Sequence, residues 1–193
     1  MIETSQTTLQ NRRLLRSDPE LDAKIVGFLA RALELYPVQL HAIVVMGSHL
    51  HVLATYPDPE VMARFHGFLN TNLSKEIGRV RGWNGTVFPR RYRSVELSDE
   101  PEIERARLKY LLSNGIKEGL VASPVDWPGV SSTLALLTGR PMRGVWVDRA
   151  AYRQAKERGE RVSLRDFTFV KEVRPVPLPS WRHRSAGAYR AMV

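Results

Sequence analysis

A chain of 193 residues, 43% apolar and 25% charged, can bury a substantial core and is not a wholly disordered polymer. It has no cysteine, which excludes disulfides, thiol nucleophiles and cysteine-ligated metal clusters. Lys and Arg outnumber Asp and Glu by 29 to 20, and the surplus is local: residues 140–193 carry thirteen basic and five acidic residues, whereas 1–139 are nearly balanced. Such a segment is either a solvated tail or a phosphate-binding arm.

Residues 4–10, rich in Thr and Gln, allow a short first strand. Asp18 and Pro19 supply a cap and a first turn for a helix running to about Tyr36, and Pro37 stops it. Leu21, Ile25, Phe28, Leu29, Ala32 and Leu35 recur at helical spacing along it. From Val38 to Tyr56, two β-rich runs flank Gly47-Ser48, the pattern of a hairpin. Both runs are apolar on both faces, so the sheet should be covered on both sides. Asp58-Pro59-Glu60 opens a second helix to about Val80, residues 82–89 read as loop, and Arg91–Leu97 as a strand. Ser98–Glu102 opens a third helix that ends between Leu112 and Glu118. Residues 123–129 are loop, with short helices expected at 131–138 and 148–158. Beyond Arg161 only 166–173 is strand-like, 175–179 is an extended proline-rich linker, and the last fourteen residues read as disordered. The chain divides into an α+β unit, 1–139, and a basic, partly helical, partly disordered extension, 140–193.

The first residues lack a charged segment followed by an apolar run, and the longest apolar run, 42–46, is far below the ~18 residues of a spanning helix. A cytoplasmic, nucleoid-associated protein without a membrane partner is the expectation.

Three groups of residues could carry chemistry. His49 and His51, at i and i+2 on a strand, put two imidazoles side by side. They form either half of a divalent-metal site or two packed core histidines. A two-residue turn at Gly47-Ser48 would set Met46 opposite His49 and Val44 opposite His51. His41 then has the opposite parity and should be packed and hydrogen-bonded on the far side of the sheet. Tyr110 and Asn114, at i and i+4, share a helix face near Arg105, Arg107 and Lys109. Tyr110 is either a packing residue or a nucleophile in a phosphate-attracting setting, and Asn114 offers a carbonyl oxygen suited to Mg²⁺ or Mn²⁺. Finally, residues 79–93 hold Arg79, Arg81, Arg90, Arg91 and Arg93 with Trp83, Phe88 and Tyr92, a combination suited to phosphate contact and base stacking.

The chain resembles the single-tyrosine HUH transposases, specifically the REP-associated tyrosine transposase group. The resemblance is carried by Ala42–Leu53 with its His-hydrophobic-His end, by Gly85–Ser94, by Tyr110–Val121 and by Trp127-Pro128. It spans about residues 10–130. It implies a ferredoxin-like α+β fold with a central antiparallel sheet and the tyrosine helix laid across the histidine strand. It also implies roles: Tyr110 as nucleophile; His49, His51 and Asn114 as ligands of a divalent metal, Mg or Mn; and a DNA-binding set of Arg79, Arg81, Trp83, Arg90, Arg91, Arg93, Arg107 and Lys109. The implied activity is transposase-like cleavage and rejoining of single-stranded or hairpin DNA through a 5′-phosphotyrosine, by a monomer or homodimer. The alternative is a domesticated, catalytically weak DNA-binding descendant. Two positions depart from the family pattern: Gly47-Ser48 stands where Pro-Asn is usual, and Gly115 where Pro follows the asparagine. The missing proline is expected to loosen the helix end that holds Asn114.

Overall fold

The helix starts marked in the sequence are present in the computed structural model, which describes residues 1–193. Asp18 accepts the backbone N–H groups of Glu20 and Leu21 ahead of α1 (Pro19–Leu35). Asp58 accepts that of Val61 at 2.7 Å ahead of α2 (Pro59–Arg81). Each cap satisfies N–H groups that have no partner within the helix.

Four strands form the central sheet: β1 (Ile2–Thr7), β2 (Gln39–Val45), β3 (His49–Thr55) and β4 (Arg93–Glu96). Their order is β2-β3-β1-β4, with every neighbouring pair antiparallel. With α1 and α2 as the two connections, this is the ferredoxin-like βαββαβ arrangement. The hairpin turn is the expected one: Val44 pairs with His51, and the Met46 N–H donates to His49 O at 2.8 Å.

Alternation along the strands sends side chains to two faces. Leu40, Ile43, Val45, Leu50, Val52 and Ala54 join a core with Ile25 and Leu29 of α1 and Phe65, Leu69, Leu73 and Ile77 of α2. Ala42, Val44, Met46 and Leu53 meet α3 (Pro101–Leu112) through Leu108, Leu111 and Leu112 on the other face. The expected coverage of both faces therefore holds for β2 and β3. A short helix α4 (Asn114–Lys117) follows α3 after a break at Ser113, and α5 (Thr133–Thr138) lies further along.

Two expectations need correction. The register of β2 shifts between Leu40 and Ala42, a bulge that inserts one residue. His41 sits there. Its Nδ1–H donates to Val176 O at 3.2 Å, and its Nε2 accepts from the Thr55 hydroxyl at 2.9 Å. Thr55 shares the alternation of His49 and His51, so His41 lies on their face, not the far one. It is packed and hydrogen-bonded as expected.

The last fourteen residues are also ordered, and one strand was not foreseen. β5 (Met142–Val147) pairs with β6 (Thr168–Val173), and α6 (Arg149–Glu157) lies between them in the chain. This strand pair packs where a Cβ on Gly27 of α1 would collide with the Val145 carbonyl oxygen, and one on Gly144 with the Gly27 nitrogen. Only two glycines let helix and strand backbones approach so closely. Farther on, α7 (Ala186–Met192) buries Tyr189 beside Leu178 in the α3-side core, and buried Glu104 of α3 accepts from the Ser180 hydroxyl and N–H.

Candidate functional site

His49 and His51 stand side by side on the α3 face of β3, half-buried, with ring centroids 5.1 Å apart and planes at 83°. The neighbouring strand contributes Glu3, which pairs with Leu53, and Ser5, which pairs with His51. Glu3 is 3% exposed, and its Oε1 accepts the His51 Nδ1–H at 2.8 Å. That bond leaves His51 Nε2 without a protein partner. His49 Nδ1 lies 3.2 Å from Ser48 Oγ, which leaves its Nε2 free as well. A metal-binding histidine commonly gives its other ring nitrogen to a carboxylate, which orients the ring and fixes the tautomer. Burial, and secondarily the neighbouring His51, hold His49 below the usual imidazole range against the opposing charge of Glu118. A neutral ring is the form that ligates.

Glu3 also ties the histidines to the tyrosine helix. Its other oxygen pairs with Arg107 of α3. The guanidinium of Arg107 lies 4.8 Å from the centroid of the Tyr110 ring, and Lys117 Nζ stands 3.0 Å from the same centroid. Burial would raise the Glu3 carboxyl, but the His51 hydrogen bond and the Arg107 charge outweigh it and keep Glu3 ionised below its ordinary range. Tyr110 is 44% exposed and lies at the protein surface. The continuous path His51–Glu3–Arg107–Tyr110 brings together residues far apart in sequence.

Asn114 is the first residue of α4, beyond the break at Ser113, so it is not on one unbroken helix with Tyr110. It is buried, and its Nδ2 has no hydrogen-bond partner. Gly115 keeps this end tight: a Cβ there would meet the Trp127 ring at 2.8 Å, while the Trp127 Nε1–H donates to Val45 O at 3.1 Å. Proline, like any residue with a Cβ, would collide, so the departure at 115 packs the helix end rather than loosening it.

The arginine-rich stretch is divided. Arg90, Arg91 and Arg93, with Ser5 and Thr7, line a cleft of about 630 Å³ beside β1. Gln6 and Asn70 hold this segment: the Gln6 amide donates to Arg90 O at 2.8 Å, and Asn70 donates to Gln6 at 3.0 Å. Tyr92 packs on buried His66 with ring centroids 4.3 Å apart. By contrast, Arg79 pairs with buried Glu76, and Arg81 donates to Asp18 and to Arg16 O. Trp83 stacks under Arg12, while Lys109 lines a separate cavity with Arg105 between α3 and the C-terminus. Glu3 and Lys117 are the members that sequence reasoning missed. A buried acid at an even-handed polar strand position gives no local signal, because its partners come from β3 and α3.

Similarity to known proteins bears on this arrangement through the fold. No protein-family model matches the sequence, and no curated protein matches it. Among solved structures, a REP-associated tyrosine transposase bound to a REP hairpin superposes with a TM-score of 0.52 at 17% identity, over 68% of this chain and 74% of that one. A candidate transposase from Deinococcus radiodurans superposes with a TM-score of 0.41 at 16% identity, over 64% of this chain and 92% of that one. The chain thus has the α+β fold, an antiparallel sheet packed by helices, seen in the first of these. No helix is long and apolar enough to cross a membrane.

Proposed function

We propose that this chain is a transposase-like strand transferase that cleaves and rejoins single-stranded or hairpin DNA. The observation that carries the reading is the path from the histidine pair through Glu3 and Arg107 to an exposed tyrosine. In the proposed step the Tyr110 oxygen attacks a backbone phosphorus. The phenolic O–H gives up its proton, the Tyr110 O–P bond forms, and the bond from phosphorus to the 3′ oxygen breaks. A 5′-phosphotyrosine remains, and the departing oxygen takes up a proton as a 3′-hydroxyl. Attack by another 3′-hydroxyl reverses the step without an external energy source.

Arg107 and Lys117 hold the ring and set positive charge where an approaching phosphate would lie. His49, His51 and Asn114 would hold a divalent ion, Mg²⁺ or Mn²⁺. Two imidazole nitrogens without a protein partner fit that role, and from Asn114 the ligand would be the side-chain carbonyl oxygen. Such an ion would supply Lewis-acid polarisation of the scissile phosphate. Arg90, Arg91 and Arg93 would guide the strand along the 630 Å³ cleft toward this face.

The test uses a hairpin oligonucleotide with a single-stranded flank. Wild-type protein with Mn²⁺ or Mg²⁺ should form a covalent adduct that resists denaturing electrophoresis. Tyr110→Phe should form none while its DNA affinity stays within about twofold. An adduct persisting in Tyr110→Phe removes Tyr110 from the role. Wild-type binding without any adduct would leave only the DNA-binding reading.

A further inference from the structure

On the side of the sheet away from the histidines, a cleft of about 670 Å³ opens between α1, α2 and the start of α6. The step above makes no use of it. Lys24 of α1, Lys75 and Arg79 of α2, and Arg149 and Arg153 of α6 line it. Two carboxylates also line it, and both are engaged. Asp148 accepts the Ala151 N–H at 2.9 Å and caps α6. Glu76, buried, pairs with Arg79 and lies 3.6 Å from Arg149. Lys24, Lys75 and Arg153 are left without an acidic side chain in ion-pair range. Burial, with Arg149 and Arg79 nearby, outweighs Glu76 and Glu20 and holds Lys24 below the usual lysine range. The chief cause is burial of the ammonium, and an anion seated in the cleft would favour its charged form.

The layout suits a chain of phosphates better than one. Lys75 and Arg79 are a helical turn apart on α2, and Arg149 and Arg153 a turn apart on α6, so the cleft carries two cationic rows. Trp146 and Tyr152 add an aromatic wall. The floor is built by two separate parts of the chain, since Trp146 packs edge-on against Phe28 of α1 at 5.9 Å. We infer that this cleft is a second nucleic-acid site, which takes the phosphodiester backbone of a DNA strand away from the point of cleavage. The inference rests on the proposed DNA-directed function. It also gives the basic C-terminal segment a fixed place in binding rather than that of a loose tail.

Lysine footprinting tests it. The full chain is treated with an acetylating reagent with and without the hairpin oligonucleotide, and labelling is read by mass spectrometry. Lys24 and Lys75 should be labelled at least fivefold more slowly with DNA, while Lys171, paired with Glu34 outside the cleft, keeps its rate. Inorganic phosphate at the same phosphate concentration should protect neither. If it protects as well as DNA does, the cleft is a single-anion site and the strand reading fails. If DNA binds while Lys24 and Lys75 stay reactive, the inference fails and the Tyr110 reading stands. If the chain binds no DNA, both fail. A second measurement is the salt dependence of affinity for Lys75→Gln/Arg153→Gln, which leaves the Glu76 pairs intact. The log–log slope should fall by roughly 0.7–0.9 for each cation removed, and an unchanged slope overturns the inference.

Discussion

One face of the central sheet is sealed by two long helices, and twenty-three buried apolar residues run through that core. The opposite face is covered by the shorter α3 and by the C-terminal segment, and its buried apolar cluster has ten members. That smaller cover ends over β2 and β3 beside the row Glu3, Ser5, His49 and His51. The same strands therefore support a rigid apolar seal on one side and polar groups near solvent on the other. Stability should depend mostly on the first face and chemistry on the second. Substitutions that respect or violate this division are the way to break it.

The largest effect belongs to the sealed face. Phe65 is fully buried, and Phe65→Ala should cost about 3–5 kcal/mol in denaturant unfolding. On the open face, His49→Ala should cost about 1 kcal/mol or less while abolishing the adduct. Equal stability losses from the two would contradict the division.

Next, Glu3→Gln keeps the size of the side chain but removes the charge shared by His51 and Arg107. Titration calorimetry with Mn²⁺ should show affinity lowered about 10- to 100-fold with the fold intact. Unchanged affinity would mean that Glu3 does not orient the histidine.

Gly115→Ala probes the seam between α4 and the sheet. Its Cβ would overlap the Trp127 ring, and overpacking of this kind should cost about 1–3 kcal/mol. A neutral effect would show that Trp127 can move aside.

The smallest effect is a pH dependence set on the sealed face. His66 is buried on α2 against Tyr92, and burial, helped by Arg91, pushes its pKa down to about 3. The unfolded chain takes up a proton near pH 6.5, whereas the folded protein does not. Stability is therefore fully present above pH 6.5 and falls as pH drops, by about 1.4 kcal/mol per unit from His66 alone. Buried His41 is lowered too, chiefly by burial, and acts in the same direction. Urea unfolding at pH 6.5 and 5.0 should show this decline. A flat profile would show that His66 is protonated in the native state.

Much of the fold was legible because its signals are local. Asp18-Pro19 and Asp58-Pro59 mark helix starts by supplying a cap and a pre-set φ at adjacent positions, and Gly47-Ser48 between β-rich runs marks the hairpin. The placing of His49 and His51 on one face follows from the two-residue period of a strand, and that of Tyr110 near basic residues follows from their spacing along α3.

Tertiary structure decided the rest, for reasons that no window of sequence contains. The parity argument for His41 holds only for an unbroken strand, and the bulge in β2 shows itself only in pairing with β3. Glu3 becomes part of the site because β1 inserts between β3 and β4, which brings a carboxylate against a histidine 48 residues away and an arginine 104 residues away. β5 is stabilised by the backbone contact between Gly144 and Gly27, and neither glycine announces a partner. The final residues look disordered by composition, but burial of Leu178 and Tyr189 against α3 offsets the entropy of ordering them. Composition and periodicity thus determined which residues could bury apolar surface or carry charge, and only the assembled chain determined which of them meet.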